Sequence, residues 1–271
     1  MAATSCSGIH TSCGGHTIAF ENILFEQADG VAVITLNRPK VLNALSMPLT
    51  LELDAAISQC ETDDDVKAII ITGAGEKAFS AGADIHEMAD LSPEELEQRS
   101  QQRGAATWHM AVCRKPVIGA LNGLAYGGGA MLASTFDIRL GCERTRFRFL
   151  AATYGRINST WTLSTIIGMP MAKELLYTGR VVEAQEAKEI GLLNHLVPSS
   201  ELLPTALDMA KTIAQNTPSM VQGIKELLNE GIGGTWEERL AMERNLLSGR
   251  LKPSHPREGF KAFLDRKGRK R

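Results

Sequence analysis

The sequence predicts a mixed α/β fold followed by a helical C-terminal region. Strand-like apolar runs alternate with helix-like segments over the first two-thirds of the chain, whereas only helical patterns follow from Glu201 onward. Two turns rich in glycine and alanine, at residues 78–88 and 122–131, each follow a strand-like run. A length of 271 residues with 44% hydrophobic and 22% charged residues is sufficient for one large core.

A strand, a helix and a second strand open the predicted core. Residues 31–37 form a buried apolar run, and residues 47–60 form a helix with Ser46 at its N-cap. An acidic turn then leads to a second strand over residues 67–73. The helix residues expected to face mostly into the core are Leu49, Leu51, Leu53 and Ile57.

The later elements continue the alternation. Ser92 and Glu95 have the spacing of a capping box, with Pro93 at the first helical position, and this predicts the start of a long helix. Two more strands are predicted over residues 115–121 and 136–141. Ligand sites in such an alternating fold lie at the turns that leave the strands.

The chain divides into three predicted parts, and it has neither an internal repeat nor a linker rich in Pro, Gly and Ser. Residues 1–17 are rich in Ser, Thr and Gly and are expected to form a flexible extension. Residues 18–200 are expected to form the α/β core. Residues 201–271 are expected to form a C-terminal region of three or four helices.

Composition disfavours several classes of protein. A net charge of −2 and a pI near 6.3 provide no long-range attraction to nucleic acid or to a membrane surface. No apolar run is long enough to span a bilayer. The five cysteines are scattered without a CxxC pair, which disfavours a disulfide framework and a zinc site and predicts a reducing, cytoplasmic location.

Both turns rich in glycine and alanine can present backbone N–H groups to a ligand. Small side chains allow a ligand oxygen to approach an amide closely. Two such amides that converge on one point form an oxyanion hole, which stabilises negative charge on a carbonyl oxygen. One such turn alone is more often a packing feature, but two of them about 45 residues apart indicate a site.

Several motifs occur in a recognisable order between residues 23 and 266. They are residues 36–45 (LNRPKVLNAL), residues 78–88 (AFSAGADIHEM), residues 122–129 (NGLAYGGG), residues 173–179 (KELLYTG) and residues 184–197. On these motifs the sequence resembles the enoyl-CoA hydratase/isomerase superfamily, also called the crotonase family, and the resemblance runs from about residue 23 to residue 266, which is nearly the whole chain.

The resemblance implies a crotonase-type spiral of ββα units followed by a helical trimerisation region, and hence a homo-trimer or a hexamer. It implies an acyl-CoA thioester as substrate, with coenzyme A present only as part of that substrate and with no separate cofactor or metal. By position in the motifs, the two oxyanion amides fall on Ala83 and Gly128. No nucleic acid and no membrane is expected as a partner.

The resemblance also implies further contacts to the thioester. Lys40 and Val41 match the stretch that holds the adenine and phosphate end of coenzyme A, although a solvated turn explains Lys40 equally well. Phe260 and Lys267 fall on a closing helix that covers the nucleotide. The residues that flank the two amides and are expected to bind substrate are Ala81, Asp84, Ile85 and Gly127.

The chain departs from the family's pattern at both acid–base positions. Hydratases of the family use two glutamates to transfer protons, and the corresponding positions carry Met131 and Ala151. No Asp or Glu occurs from residue 144 to residue 171, so no shift of the alignment supplies a carboxylate there. Ordinary hydration is therefore not expected of this chain.

Three functions stay open at this point. The first is an acyl-CoA enzyme with altered acid–base groups. One form of it is a decarboxylase of malonyl-type thioesters, because loss of carbon dioxide needs no base. Tyr154 is then the candidate proton donor. The second is a protein that binds acyl-CoA without chemistry. The third, RNA binding, is disfavoured because the helix at residues 47–60 has no basic residue.

Overall fold

The structure, a computed structural model, describes residues 20–267, so the predicted extension at residues 1–17 lies outside the described residues. The strands are β1 (Ile23–Ala28), β2 (Val31–Leu36), β3 (Ala68–Gly73), β4 (Ala78–Ser80), β5 (Val117–Leu121), β6 (Leu124–Tyr126), β7 (Ile138–Gly141), β8 (Arg146–Arg148), β9 (Val181–Glu183) and β10 (His195–Leu196).

The helices are α1 (Met47–Thr62), α2 (Ile85–Ala89), α3 (Pro93–Val112), α4 (Gly128–Ala133), α5 (Thr160–Ile167), α6 (Met169–Thr178), α7 (Ala184–Glu189), α8 (Leu202–Ala214), α9 (Pro218–Glu230), α10 (Trp236–Ser248), α11 (Pro256–Gly259) and α12 (Lys261–Lys267). Short 3-10 turns cover Pro39–Val41, Ala152–Tyr154 and Ser199–Glu201. Ser46 caps α1, and the capping box of Ser92 and Glu95 opens α3, as predicted.

The strands form two sheets. The six-stranded sheet has the order β1-β2-β3-β5-β7-β10, in which β1 is antiparallel to β2 and the remaining neighbours are parallel. The four-stranded sheet has the order β4-β6-β8-β9, with β9 antiparallel to β8. Consecutive strands alternate between the sheets, because β3, β5 and β7 belong to the first and β4, β6 and β8 to the second. This alternation, with helices after the strand pairs, confirms the predicted fold class.

Both faces of the larger sheet are buried. Successive residues of a strand point to opposite faces, so Ile69 and Ile71 pack in the main core with α1, while Ile70 packs in a second cluster beneath α8. Leu202 and Ala206, one helical turn apart on α8, belong to that second cluster. The first helix after residue 200 therefore covers one face of the sheet.

Helix α1 presents one apolar stripe to the core. Leu49, Leu53 and Ile57 are buried, as predicted from their spacing. The prediction for Leu51 is wrong, because this side chain is 50% exposed. Two residues along an α-helix correspond to a rotation of about 200°, which places Leu51 on the face opposite Leu49.

A histidine joins the two long helices of the core. Nδ1 of His109 on α3 lies 2.6 Å from Oδ1 of Asp54 on α1, and Nε2 lies 2.9 Å from Oε2 of Glu61. Burial alone would lower the pKa of His109, but the hydrogen bonds to both carboxylates raise it above its ordinary value of 6.5. Only the imidazolium form has two N–H groups, so both contacts are charge-assisted when His109 is protonated.

This contact predicts a pH-dependent stability. Because the pKa of His109 is raised in the folded state, the stabilisation is fully present below pH 6.5 and is lost as the pH rises through the folded pKa. Thermal unfolding between pH 6 and pH 9 should show a steeper loss of Tm for the wild type than for His109→Gln. His195→Gln, at an exposed histidine, is the control. Parallel pH profiles for the wild type and His109→Gln would contradict the assignment.

The C-terminal helices are anchored to the core and expose apolar side chains on their other side. Nζ of Lys225 on α9 donates to the Lys115 carbonyl at 3.1 Å and to Oδ2 of Asp137 at 2.6 Å. No helix within residues 20–267 is both long enough and apolar enough to cross a membrane. The exposed large apolar residues of α9, α10 and their connection are Ile224, Leu228, Ile232, Trp236, Leu240 and Leu247.

Candidate functional site

The topology of the smaller sheet brings the two turns rich in glycine and alanine together. Strands β4 and β6 are parallel neighbours, so their carboxyl ends lie at the same edge of the sheet. The chain leaving β4 contains Ala83, and the chain leaving β6 contains Gly127 and Gly128. Each of these strands has only three residues, and the sequence pattern did not predict either of them.

The Ala83 amide is turned away from the chain that pairs with it. Leu45 N–H donates to the Gly82 carbonyl at 2.7 Å, and Asp84 N–H donates to the Leu45 carbonyl at 3.3 Å. In this parallel bridge the N–H of Ala83 itself points to the side opposite Leu45. It has no hydrogen-bond partner within the described residues 20–267.

Gly128 provides the second amide. Gly127 has a φ of +49°, a conformation that favours glycine, and its carbonyl accepts the N–H of Met131 at 3.0 Å. Gly128 is therefore the first residue of α4, and its N–H has no partner inside the helix. A Cβ added to Gly128 would lie 3.2 Å from the Ala83 nitrogen, so the two residues face each other across a narrow space.

A buried asparagine holds the first turn in place. Asn43 has a φ of +53°, and its side chain donates to the carbonyls of Ala74 and Ala78 at 3.0 and 2.9 Å and accepts the N–H of Arg38 at 3.0 Å. The hydroxyl of Ser80 donates to the Asn43 carbonyl at 2.8 Å. These bonds tie the loop after β2 to both ends of the β4 segment, so they position the chain that carries Ala83.

An ion pair supports the same turn. Arg38 Nη1 lies 2.8 Å from Oδ2 of Asp84 and also donates to the Ala44 carbonyl at 2.7 Å. Burial alone would raise the pKa of Asp84, but the hydrogen bonds from Arg38 and from the Glu87 N–H hold it below its usual value. Asp84 therefore stays ionised at neutral pH and caps α2, and it is a structural anion rather than a proton acceptor.

Met131 and Ala151, the residues that the resemblance implies at the two acid–base positions, are both apolar and half-buried. Met131 is half-buried on α4, one turn after Gly128. Ala151 is half-buried before the 3-10 turn, and its carbonyl accepts the N–H of Arg156 at 2.8 Å. The α5 helix is attached to α4 by a hydrogen bond of 2.8 Å between the hydroxyls of Ser134 and Thr162.

The remaining predicted residues are distributed around this centre. Ala81 donates its N–H to the Leu42 carbonyl at 2.9 Å, and Ile85 is exposed at the start of α2. Lys40 and Val41 are exposed on the turn after β2, next to a shallow cleft of about 280 Å³ between that turn and residues 74–78. Tyr154 is 65% exposed, and its hydroxyl has no partner among residues 20–267.

The predicted C-terminal contacts are not assembled with the others in the single chain. Phe260 is exposed between α11 and α12, and within residues 20–267 no hydrogen bond or ring contact joins its side chain to Lys40, Val41 or Ala83. The side chain of Lys267 lies outside the described part of the structure.

Sequence reasoning missed two features of the site. The role of Asn43 was not predicted, although a polar residue with a small side chain in a turn is a signal for the left-handed conformation. Trp108 on α3 and Trp161 on α5 approach each other with ring centroids 5.9 Å apart, and no local pattern connects residues so far apart in the chain.

Comparisons with a family model, with known proteins and with solved structures all support the same family. The family model described as enoyl-CoA hydratase/isomerase matches residues 26–270. The short-chain-enoyl-CoA hydratase of Clostridium acetobutylicum is 37% identical over 250 residues, which cover 91% of this chain and 95% of that protein. The crotonyl-CoA hydratase of Syntrophomonas wolfei is 35% identical over 254 residues, covering 92% and 97% of the two chains.

The fold agrees with solved structures as well. The enoyl-CoA hydratase of Bacillus anthracis superposes with a TM-score of 0.86 at 36% identity, and the alignment covers 91% of this chain and 97% of that one. DspI of Pseudomonas aeruginosa superposes with a TM-score of 0.86 at 29% identity, covering 93% and 97%. Sequence, fold and the arrangement of the two turns thus lead to one conclusion: the chain belongs to the enoyl-CoA hydratase/isomerase family, the crotonase family, whose members act on CoA thioesters.

Proposed function

We propose that the protein is an enzyme of acyl-CoA thioesters that stabilises a thioester enolate between the amides of Ala83 and Gly128. The observation that carries this proposal is that the N–H groups of Ala83 and Gly128 have no hydrogen-bond partner within residues 20–267, while the two residues lie close together beyond the common edge of β4 and β6. Hydrogen bonds to the thioester oxygen strengthen as negative charge grows on it. Loss of one such donor typically raises the barrier by about 3 kcal/mol.

The proposed enzyme differs from a hydratase in its acid–base groups. Addition of water to an enoyl thioester needs a positioned base, and neither Met131 nor Ala151 can accept a proton. The acidic residue next to the first amide, Asp84, is bound to Arg38. The names of the hydratase relatives therefore support the substrate class for this chain more strongly than they support the reaction.

Decarboxylation of a malonyl-type thioester is the second candidate, and the absence of Asp and Glu from residues 144–171 favours it. The bond between the α-carbon and the carboxylate breaks, its electron pair forms the enolate, and carbon dioxide leaves. The oxyanion amides stabilise that enolate, and a proton is then added to the α-carbon. The exposed hydroxyl of Tyr154 is the proposed donor.

Binding of coenzyme A completes the proposal. We assign its adenine and phosphate end to the exposed turn of Lys40 and Val41, and its nucleotide cover to Phe260 and Lys267. Ala81, Asp84, Ile85 and Gly127 shape the thioester site around the two amides.

The thiols of Cys60, Cys113 and Cys142 are free and buried, which supports a reducing, cytoplasmic location.

The decisive experiment asks whether the protein recognises the thioester carbonyl. Calorimetry should compare the ketone analogue of acetyl-CoA, in which CH₂ replaces sulfur, with S-ethyl-CoA, which has no carbonyl oxygen. Two amide hydrogen bonds predict a preference of about tenfold or more for the ketone. Equal affinities would contradict the proposed oxyanion hole. A mass-spectrometric screen of acyl-CoA and malonyl-type thioesters then separates an enzyme from a protein that only binds.

We also propose that the chain assembles into a trimer or a hexamer. Helices α9 and α10 and their connection expose several large apolar side chains, and exposed apolar surface of this kind is typical of contacts between subunits. Light scattering at micromolar concentration should give three or six times the chain mass of 29.3 kDa. Leu228→Glu should weaken the assembly, whereas Leu24→Glu, at an exposed leucine of β1, should leave it intact. A monomeric mass for the wild type would refute the assembly.

A further inference from the structure

Two indole rings from different helices meet at the surface of the protein. The ring centroids of Trp108 on α3 and Trp161 on α5 lie 5.9 Å apart, and the ring planes are tilted by 52°. The two residues are 60% and 47% exposed, so much of their flat apolar surface faces solvent. Large aromatic side chains with one free face are typical of surfaces that receive a ligand.

Hydrogen bonds attach helix α5, which carries Trp161, to the C-terminal end of α4, the helix that begins at Gly128. Thr162, next to Trp161, is bonded to the hydroxyl of Ser134, which donates to the Met131 carbonyl at 2.6 Å. Gly128 and Ser134 are six residues apart along α4, which corresponds to about 9 Å of helix. Helix α5, which carries Trp161, is therefore attached to the far end of the helix whose first residue provides the proposed oxyanion amide.

The position of each indole is fixed by its own element. Ser159 is buried and has a φ of +57°, an uncommon conformation for serine, and its carbonyl accepts the Leu163 N–H at 3.0 Å. This turn starts α5 and sets the direction of Trp161. On α3, His109 is bound to Asp54 and Glu61, and these bonds fix the helix face that carries Trp108.

We propose that Trp108 and Trp161 form the distal wall of the acyl site and select thioesters whose acyl chain ends in an aromatic ring. This inference rests on the proposed function, since it assigns the acyl group of the same site. A flat ring gains more contact with an indole face than a puckered ring of the same size, and the aromatic quadrupoles favour tilted or offset pairs. Met131 lies on α4 between Gly128 and Ser134 and contributes an apolar side chain.

The test uses two thioesters of nearly equal size and different shape. Calorimetry with the full chain should show that 3-phenylpropanoyl-CoA binds about three- to tenfold more tightly than 3-cyclohexylpropanoyl-CoA, the range expected for one aromatic contact. In Trp161→Ala and in Trp108→Ala this ratio should fall close to one. Trp161→Phe should retain most of it. Tyr177→Ala, at a 74% exposed tyrosine of α6 outside both proposed surfaces, is the control for loss of an aromatic ring and should keep the wild-type ratio.

The outcomes separate this inference from the proposed function. If the ketone analogue of acetyl-CoA binds but the two ring-bearing thioesters bind equally to the wild type, the aromatic wall is refuted and the thioester site stands. If the ratio persists in both alanine variants, the ring is bound elsewhere and the inference is also wrong. If no CoA ligand binds, the proposed function fails together with it. Circular dichroism and the affinity for the ketone analogue show whether each variant is folded.

Discussion

Hydration of crotonyl-CoA by this protein should proceed at no more than a trace rate. Each general acid–base group contributes about 10²- to 10⁴-fold to an enzymatic rate, and we propose that Met131 and Ala151 stand at the two positions of such groups. The proposed oxyanion amides would polarise the thioester, but an N–H group cannot take a proton from water. The measurement is the loss of enoyl absorbance with purified protein, compared with buffer.

Restoration of the carboxylates should reverse this deficit in part. Met131→Glu combined with Ala151→Glu should increase the hydration rate more than either substitution alone, because one group activates water and its partner serves the proton at the adjacent carbon. Both residues are half-buried, so the folding of each variant is checked first by its melting temperature. Met169→Glu, at an exposed methionine of α6, is the control for an added carboxylate outside the site.

The result that contradicts this view is robust turnover of crotonyl-CoA by the wild type. If the wild type hydrates crotonyl-CoA at about 10 reactions per second, the median rate for enzymes, a group other than residues 131 and 151 must transfer the protons. The hydroxyl of Tyr154 would then be the first residue to test, by Tyr154→Phe.

Substitution of Gly128 by alanine should remove the preference for a thioester carbonyl. The new methyl group would lie 3.2 Å from the Ala83 nitrogen and thus occupy the space that we propose for the carbonyl oxygen. Its other near neighbours, Gly82 Cα and Leu45 Cδ1, are 3.6 Å away, so the fold should accommodate it with a small loss of stability. We expect the preference for the ketone analogue over S-ethyl-CoA to disappear, and turnover of any substrate from the screen to fall about 100-fold.

Gly104→Ala provides the control for Gly128→Ala. Gly104 lies on the exposed part of α3, where an added Cβ meets nothing within 4 Å, and an alanine in a helix is more favourable than a glycine by up to about 1 kcal/mol. This variant should bind both analogues as the wild type does. Gly128→Pro, which removes the N–H itself, should reproduce the effect of Gly128→Ala if it folds. Unchanged carbonyl preference in Gly128→Ala would place the oxyanion site elsewhere.

The parts of the fold that were predictable are those encoded over short distances. The apolar runs of β2, β3 and β5 are long enough to show strand character, and the caps at Ser46 and Ser92 mark the starts of α1 and α3. The three-residue strands β4, β6 and β8 were not predictable, because a segment that short has no measurable period and becomes a strand only when its neighbours align beside it. Strand β1 was missed because most of its residues are not buried.

The candidate site also has some features that the sequence predicts and others that only the tertiary structure creates. The residues that can form an oxyanion hole, and the absence of Asp and Glu from residues 144–171, are properties of the sequence alone, because glycine, alanine and missing carboxylates can be identified without coordinates. The approach of Ala83 to Gly128, the Asn43 hydrogen bonds and the pairing of Trp108 with Trp161 were decided only by the tertiary structure. Each of these joins segments more than 30 residues apart, and such contacts depend on how strands register and helices pack rather than on local propensity.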